Sequence, residues 1–271
     1  MSENILDRTR ADLVRDAVDA ADDELTAVNP SGETVRELVS TLADADAPPT
    51  VRLLGHPDTV KDVMSDFIVA SNADDLIEAD ALELRVNEDA EGNPLLLHDD
   101  AVVAVVDAGA SVAGLVSDDD AFVADAIETY GRQWDEAETY PLRTPPLSKV
   151  REGLSTEMGE HAERDFEAML GSLETARGDG DGLDEVTISL LVAAKNEELL
   201  YDVSKWGEDT GVASKATFSR TKTELEEMGL IETEKVPIDV GRPRLRLTLG
   251  DDRLEAAGND QLATVAQSML N

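Results

Sequence analysis

Between Asp184 and Leu249 the chain sets helical stretches, glycines and strands in an order that few folds can accommodate. Asp184–Ala194 carries Val186, Ile188, Leu190, Leu191 and Ala193, and Glu197–Asp209 carries Leu199, Leu200, Val203 and Trp206, both at helical spacing. Thr210-Gly211-Val212-Ala213 reads as a sharp turn, and Ser214 stands in an N-cap position. The next helix, Ser214–Met228, ends at Gly229, the residue type that accepts the left-handed conformation past a helix end. Leu230-Ile231-Glu232-Thr233-Glu234 then starts a strand. Gly241 sits at a hairpin tip, and Leu245, Leu247 and Leu249 return on the inward face.

Helix, helix, glycine turn, helix and a two-stranded wing is the order of a winged helix-turn-helix, in which the third helix lies in the major groove of double-stranded DNA. The charge pattern fits. The chain has 271 residues with 23 basic and 60 acidic side chains, a formal charge of −37. Residues 1–183 hold 13 basic and 43 acidic residues, whereas 214–246 hold seven and six. One surface is therefore spared from acidification, and it is the surface a phosphate backbone needs.

Roles follow from position. Lys215, Ala216, Thr217 and Arg220 lie on the N-terminal part of the third helix, where side chains reach base edges. Arg220 suits guanine, and Ala216 or Thr217 a thymine methyl. Ser214 and Lys222 are placed for phosphates, although Lys222 occupies a position where comparable helices often carry an apolar residue. Arg242 at the wing tip is placed for the minor groove, and Arg244 and Arg246 alternate outward toward the backbone. Phe218, Leu225, Trp206 and Leu191 are core candidates. Taken singly, a basic helix is an ordinary solvated face and Leu-Arg-Leu-Arg-Leu an ordinary half-buried strand; their order carries the reading.

The remainder reads as a mixed α/β sensor-like domain over 1–140, a linker and long helix over 141–182, and the winged helix with a C-terminal helix over 183–271. The fold class is α+β or α/β. Leu6, Leu13, Ala17 and Ala20 predict an amphipathic helix over 3–25, within a helical start of 1–45. Val35–Leu42 is a second helix, Val51–Gly55 a strand, and Val60–Ala70 a helix. Strands follow at Leu82–Val86 and Leu95–Leu97, then a hairpin of Ala101–Val106 with Ser111–Val116 across Gly109. A helix over 119–137 is capped by Asp118–Asp120. Past the breakers Pro141, Pro145 and Pro146, one helical stretch runs to about Ala176, and Gly178–Gly182 is a joint. Leu254, Ala257, Leu262, Val265, Ala266 and Met269 stripe a helix over 252–270, a candidate dimer contact with 147–176 as its rival.

Composition excludes much. There is no cysteine, so disulfides, thiolate metal sites and cysteine nucleophiles are out. No apolar run approaches 18 residues and Met1–Arg15 is charged throughout, against a membrane span or a secretory signal. No glycine-rich phosphate loop or Gly-x-Ser-x-Gly elbow appears. His56, His98 and His161 are dispersed and read as structural, and Asp107, Asp118 and Asp120 as solvated or capping acids. No enzyme, cofactor or metal is expected. A compact monomer of this mass exposes about 11,400 Å², one net charge per roughly 310 Å². Seven lysines against 16 arginines and dispersed acids suit a cytoplasm of high salt, where charge repulsion is screened within about 3 Å.

Ser214-Lys215-Ala216-Thr217-Phe218-Ser219-Arg220, continued by Leu225-Glu226-Glu227-Met228-Gly229-Leu230-Ile231, resembles the recognition helix and following strand of many bacterial and archaeal regulators. Residues 50–140 look, in fold only, like the effector-binding halves of archaeal sugar-responsive regulators of the TrmB type. The whole chain resembles the haloarchaeal transcription regulator family TbsP, with Leu190–Leu225 carrying most of the likeness. The resemblance implies a cytoplasmic DNA-binding regulator of a halophilic archaeon that controls central carbon metabolism genes. The expected partners are promoter DNA, a second copy of the chain and an unidentified small-molecule effector. The alternative is a winged-helix protein-interaction module.

Overall fold

The computed structural model describes residues 5–88, 90, 92–109, 111–177, 183–237, 243–258 and 261–270, with residues 5–8 described by backbone alone. The chain divides into two compact units. One comprises Met1–Ser65 and Asn72–Arg143, the other Asp66–Ser71 and Thr144–Asn271.

The first unit is built on an eight-stranded mixed sheet of order β1-β7-β6-β5-β2-β3-β4-β8. Its centre is parallel: β2 (Glu24–Val28), β3 (Thr50–Gly55) and β4 (Leu82–Val86) pair in register, Leu25 opposite Val51 and Val51 opposite Leu82. Parallel neighbours need helical crossovers. These are supplied by α2 (Gly32–Ala43) between β2 and β3, and by α3 (Pro57–Val63) with α4 (Phe67–Glu78) between β3 and β4. An antiparallel meander follows. β5 (Leu95–His98) pairs with β2, β6 (Ala101–Ala108) with β5, and β7 (Ser111–Ser117) with β6 across the expected hairpin. β1 (Ile5–Arg8) and β8 (Glu138–Thr139) close the two edges.

Leu25, Ala27, Val51, Leu53, Leu82 and Leu84 fill one face of the sheet and are buried. On the other face lies α5 (Asp120–Glu136), with Val123 and Ala126 packed on Val28, Leu97 and Val102. Asp119 caps α5, its carboxylate accepting the Phe122 N–H at 3.0 Å.

Two expectations for this unit change. The stretch 3–25 is not one helix, and the start 1–45 is not all helical: β1, α1 (Arg10–Ala20) and β2 occupy it. Thr9 starts α1 through a capping box with Asp12, which breaks the apolar spacing that had linked Leu6 to Leu13. Likewise Val60–Ala70 spans the end of α3 and the start of α4, parted at Met64–Asp66.

The second unit is mainly helical. α6 (Leu147–Met158) and α7 (Glu160–Gly171) replace the single long helix, because Gly159 adopts φ +88° between them. Asp66 is fully buried, its carboxylate accepting the N–H groups of Ile68 at 3.1 Å and Ala176 at 3.2 Å, and Phe67 N–H donates to the Ala176 carbonyl at 3.0 Å. α8 (Glu185–Lys195) is the most buried helix, apolar on nearly every side. α9 (Leu200–Thr210) and α10 (Lys215–Glu227) pack on it, followed by the hairpin of β9 (Ile231–Val236) and β10 (Arg244–Leu249). The predicted C-terminal helix is α11 (Asp252–Glu255) and α12 (Leu262–Leu270), with Gly258 between them. Leu254, Leu262, Ala263 and Ala266 are buried in the core of their own unit, as are Val150, Leu154, Phe166 and Met169 of α6 and α7. Val265 and Met269 of the first stripe, and Met158 and Leu173 of the second, are only partly buried against the same core.

Candidate nucleic-acid interface

The geometry of α10 begins with its ends. Ser214 accepts the Thr217 N–H on its side-chain oxygen at 3.1 Å, and Gly229 has φ +74°. Gly211, at φ +90°, turns α9 toward α10. A ring stack seats the helix: Trp206 meets Phe166 at 6.4 Å and Phe218 at 6.5 Å, both edge to face. Trp206 Nε1–H donates to the Val150 carbonyl at 3.2 Å, so this fully buried indole leaves no orphan donor. With Phe218, Thr221 and Leu225 buried, the opposite side of α10 must face solvent. That side presents Ala216, Ser219, Arg220 and Thr223, all exposed. Ala216 and Ser219 are short enough for a close approach, and Arg220 stands between them and Thr223 with its side chain 72 % exposed.

The sequence-predicted residues fall into three groups. Ser214, Lys215, Ala216, Thr217 and Arg220 gather on the first two turns of α10, Thr217 half-buried beneath the Ser214 cap. Lys222 does not join them. Its side chain is only 12 % exposed, and its ammonium donates to Glu226 at 2.7 Å. Glu226 also accepts from Thr233 of β9 at 2.6 Å, so this lysine ties the helix to the hairpin. Burial acts to raise the Glu226 pKa, but the hydrogen bonds from Lys222 and Thr233 and the charge of Lys222 outweigh it and hold the carboxyl below its ordinary range.

Arg244 and Arg246 share the outward face of β10, as their alternation predicts, with Leu247 buried behind them. Arg246 lies 4.0 Å from Glu234 on the neighbouring strand. Its backbone also bridges to Leu199, so the hairpin gains a third contact just ahead of α9. Burial first, then the charge of Asp202, push Glu198 above its ordinary pKa, with Arg246 pulling partly back. Arg242 and the hairpin tip at Gly241 lie outside the described residues, as does the joint at Gly178–Gly182.

A pair that the sequence did not single out completes the surface. The Arg244 guanidinium lies 4.0 Å over the ring of Tyr201, itself 47 % exposed, and Asp202 holds it from the side at 3.4 Å. Only an exposed aromatic beside the start of α9 hinted at this. Acids also temper the basic groups of α10: Lys215 pairs with Glu208 at 2.6 Å and Arg220 stands 4.0 Å from Glu224. The Glu208 hydrogen bond holds the Lys215 ammonium above the ordinary lysine range.

Elsewhere the histidines serve local structure. His56 accepts the Asp58 N–H, His98 the Asp100 N–H, and His161 contacts Arg164. Among the described residues, no group of three or more His, Asp or Glu is placed to hold a metal ion, and no helix is long and apolar enough to cross a membrane.

Residues 2–145 match the family model "Transcriptional regulator TbsP-like, N-terminal", and residues 146–267 match "Transcriptional regulator TbsP-like, C-terminal HTH domain". Both describe regulators and neither an enzyme. No curated protein matches the chain in sequence. Among solved structures, TrmBL2, an archaeal chromatin protein, is similar at 14% identity and a TM-score of 0.37, over 51% of this chain and 54% of that one. The chain thus spans about half the length of that protein. Nuc, a phospholipase D family member from Salmonella typhimurium, is similar at 12% identity and a TM-score of 0.37, over 51% of this chain and 96% of that one. With both family models matched in sequence order, the chain belongs to the TbsP-like transcriptional regulators and carries that family's helix-turn-helix DNA-binding domain at residues 146–267.

Proposed function

We propose that the protein is a homodimeric, sequence-specific regulator that occupies promoter operators through α10 and the β9–β10 hairpin. The carrying observation is the exposed row Ala216, Ser219, Arg220 and Thr223 on a helix capped by Ser214 and locked from behind by Phe218. Arg220 reads a guanine edge, and Ala216 or Thr217 touches a thymine methyl. Ser214 and Lys215 contact phosphates, with Arg244 and Arg246 following the backbone and Arg242 reaching the minor groove. Lys222 is left out of this set because Glu226 holds it. The dispersed acidity supports residence in a high-salt archaeal cytoplasm; control of central carbon genes, tuned by a small molecule at the first unit, is carried by the resemblance to the family alone.

The pairing of Lys215 with Glu208 and of Arg220 with Glu224 favours a second reading, a helix that docks on a protein, because it weakens the field a phosphate meets. Chromatin pull-down of the tagged protein from its native host, beside an Arg220→Ala, Arg244→Ala variant, separates the two. Sharp promoter peaks lost in the variant support operator binding; flat profiles for both support the protein-docking reading. Light scattering of the purified chain tests the dimer.

A further inference from the structure

α5 covers only part of its face of the sheet. Side chains alternate along a strand, so Val102, buried against α5, shares that face with Ala104 and Val106 of β6. Register sets Leu115 of β7 opposite Ala104 and Ala113 opposite Val106, which puts both on the same face. Val106 is 42 % exposed and Leu115 46 %, and Phe122, in the first turn of α5, is 52 % exposed. These are three of the six large apolar side chains exposed among the described residues. The opposite face of the same strands is closed, with Val103, Val105 and Val112 buried.

Charge sets this strip apart. In a chain with 31% charged residues, 101–117 hold one, Asp107. Alternation places Asp107 on the closed face, where Arg10 binds it at 2.5 Å. The uncovered face of β6 and β7 therefore carries no charge, although the exposed acids Asp118–Asp120 follow directly. Contiguous apolar surface of this kind marks a contact. Its relief is also regular. Val106 faces Ala113 in one cross-strand pair and Ala104 faces Leu115 in the next, so large and small residues form a checkerboard.

We propose that this strip is the surface on which a second copy of the chain packs, sheet against sheet. The inference rests on the homodimer reading above and names its interface. A two-fold axis lying between the sheets, along the strands or across them, sets every large residue of one copy over a small residue of the other. The pattern is thus complementary to itself. Basic partners would be held by the surrounding acids and not by a neutral strip, and DNA would be repelled by them. A copy bearing the same charge of −37 comes close only where neither surface is charged.

Sedimentation and light scattering of the full chain in about 0.5 M and about 3 M potassium chloride test this. The dimer should tighten with salt, because the strip is apolar and its rim acidic. Leu115→Glu should raise the dimer dissociation constant at least about thirtyfold, since symmetry introduces the charge twice, while keeping the far-UV circular dichroism of the parent. Leu115→Ala, which adds no charge, should raise it several-fold. The chain has no cysteine, so Leu115→Cys treated with a short bis-maleimide should give a covalent dimer, whereas Thr264→Cys on α12 should not. A dimer unaffected by Leu115→Glu, loosened by salt, or cross-linked through Thr264→Cys instead overturns this interface and leaves the homodimer standing. A parent that stays monomeric at both salts up to about 0.1 mM overturns the interface together with the homodimer.

Discussion

The ring of Phe218 occupies the space in which a Cβ on Gly207 would stand: an added methyl would lie 2.1 Å from Phe218 Cε2. α10 is seated on α9 through the absence of one side chain. Gly207→Ala must push the ring away and separate the two helices, an overpacking cost of about 1–3 kcal/mol. Denaturant unfolding should show that loss. Adding Phe218→Leu should recover part of it, giving a coupling between the two sites well away from zero. Additive losses in the double variant would show that the contact does not set the spacing.

Acids beside the recognition helix lead to an expectation opposite in sign to most surface substitutions. Glu208 holds Lys215 and Glu224 stands beside Arg220, so on the proposed reading each competes with DNA for its base. Glu208→Gln and Glu224→Gln should tighten operator binding several-fold, since each frees a base from an exposed and weakly held partner. Gel-shift titrations at fixed potassium chloride check this. Weaker binding in either variant would mean that the acids orient the bases for DNA.

The C-terminal unit was more legible in sequence than the N-terminal one, for reasons visible in particular residues. α10 announces itself locally, with Ser214 at its start, Gly229 past its end and Phe218 and Leu225 on one face. The hairpin of β6 and β7 likewise turns at Gly109, where φ is +75°. The stretch 3–25 misled because Leu6, Leu13, Ala17 and Ala20 keep helical spacing across a strand, a cap and a helix. Thr9 and Asp12 held the corrective signal, a capping box in mid-stretch. Gly159 broke the long helix in the same way. The stack of Arg244 on Tyr201 joins residues 43 positions apart, and Lys222 finds Thr233 only through their shared partner Glu226. Such contacts depend on where the hairpin lands on the helices, which no local pattern encodes.

The same stack yields a prediction about the hairpin. Tyr201 and Asp202 hold the Arg244 guanidinium in one place, so less freedom is lost when it meets a phosphate. Tyr201→Ala should weaken binding to every DNA sequence alike, by about 0.5–1 kcal/mol, whereas Tyr201→Phe keeps the ring and should bind like the parent. Arg220→Ala, by contrast, should cost about 1–3 kcal/mol on the operator and relax the preference at one base pair. Competition assays with operator and random DNA separate these patterns. A sequence-dependent loss in Tyr201→Ala would place the ring itself against a base.

The pairing of Glu226 with Lys222 predicts a pH dependence whose direction follows from the carboxyl. In the folded chain its pKa lies below the ordinary value of about 4.3, because hydrogen bonds and the Lys222 charge exceed the effect of burial. The folded state therefore favours the ionised form. The stability this contributes is fully present above the unfolded pKa and is lost as pH falls through the folded one. Glu226→Gln should be less stable than the parent at neutral pH by about 0.5–1.5 kcal/mol, and the difference should start to narrow once pH falls below the unfolded value of about 4.3. Lys222→Met removes the lysine charge from the same contact. It should lower stability without weakening operator affinity, since the ammonium faces Glu226 and not the groove. Urea melts across pH test the first expectation and operator titrations the second. A Lys222→Met protein that folds yet loses operator affinity would return Lys222 to the phosphate-contacting set.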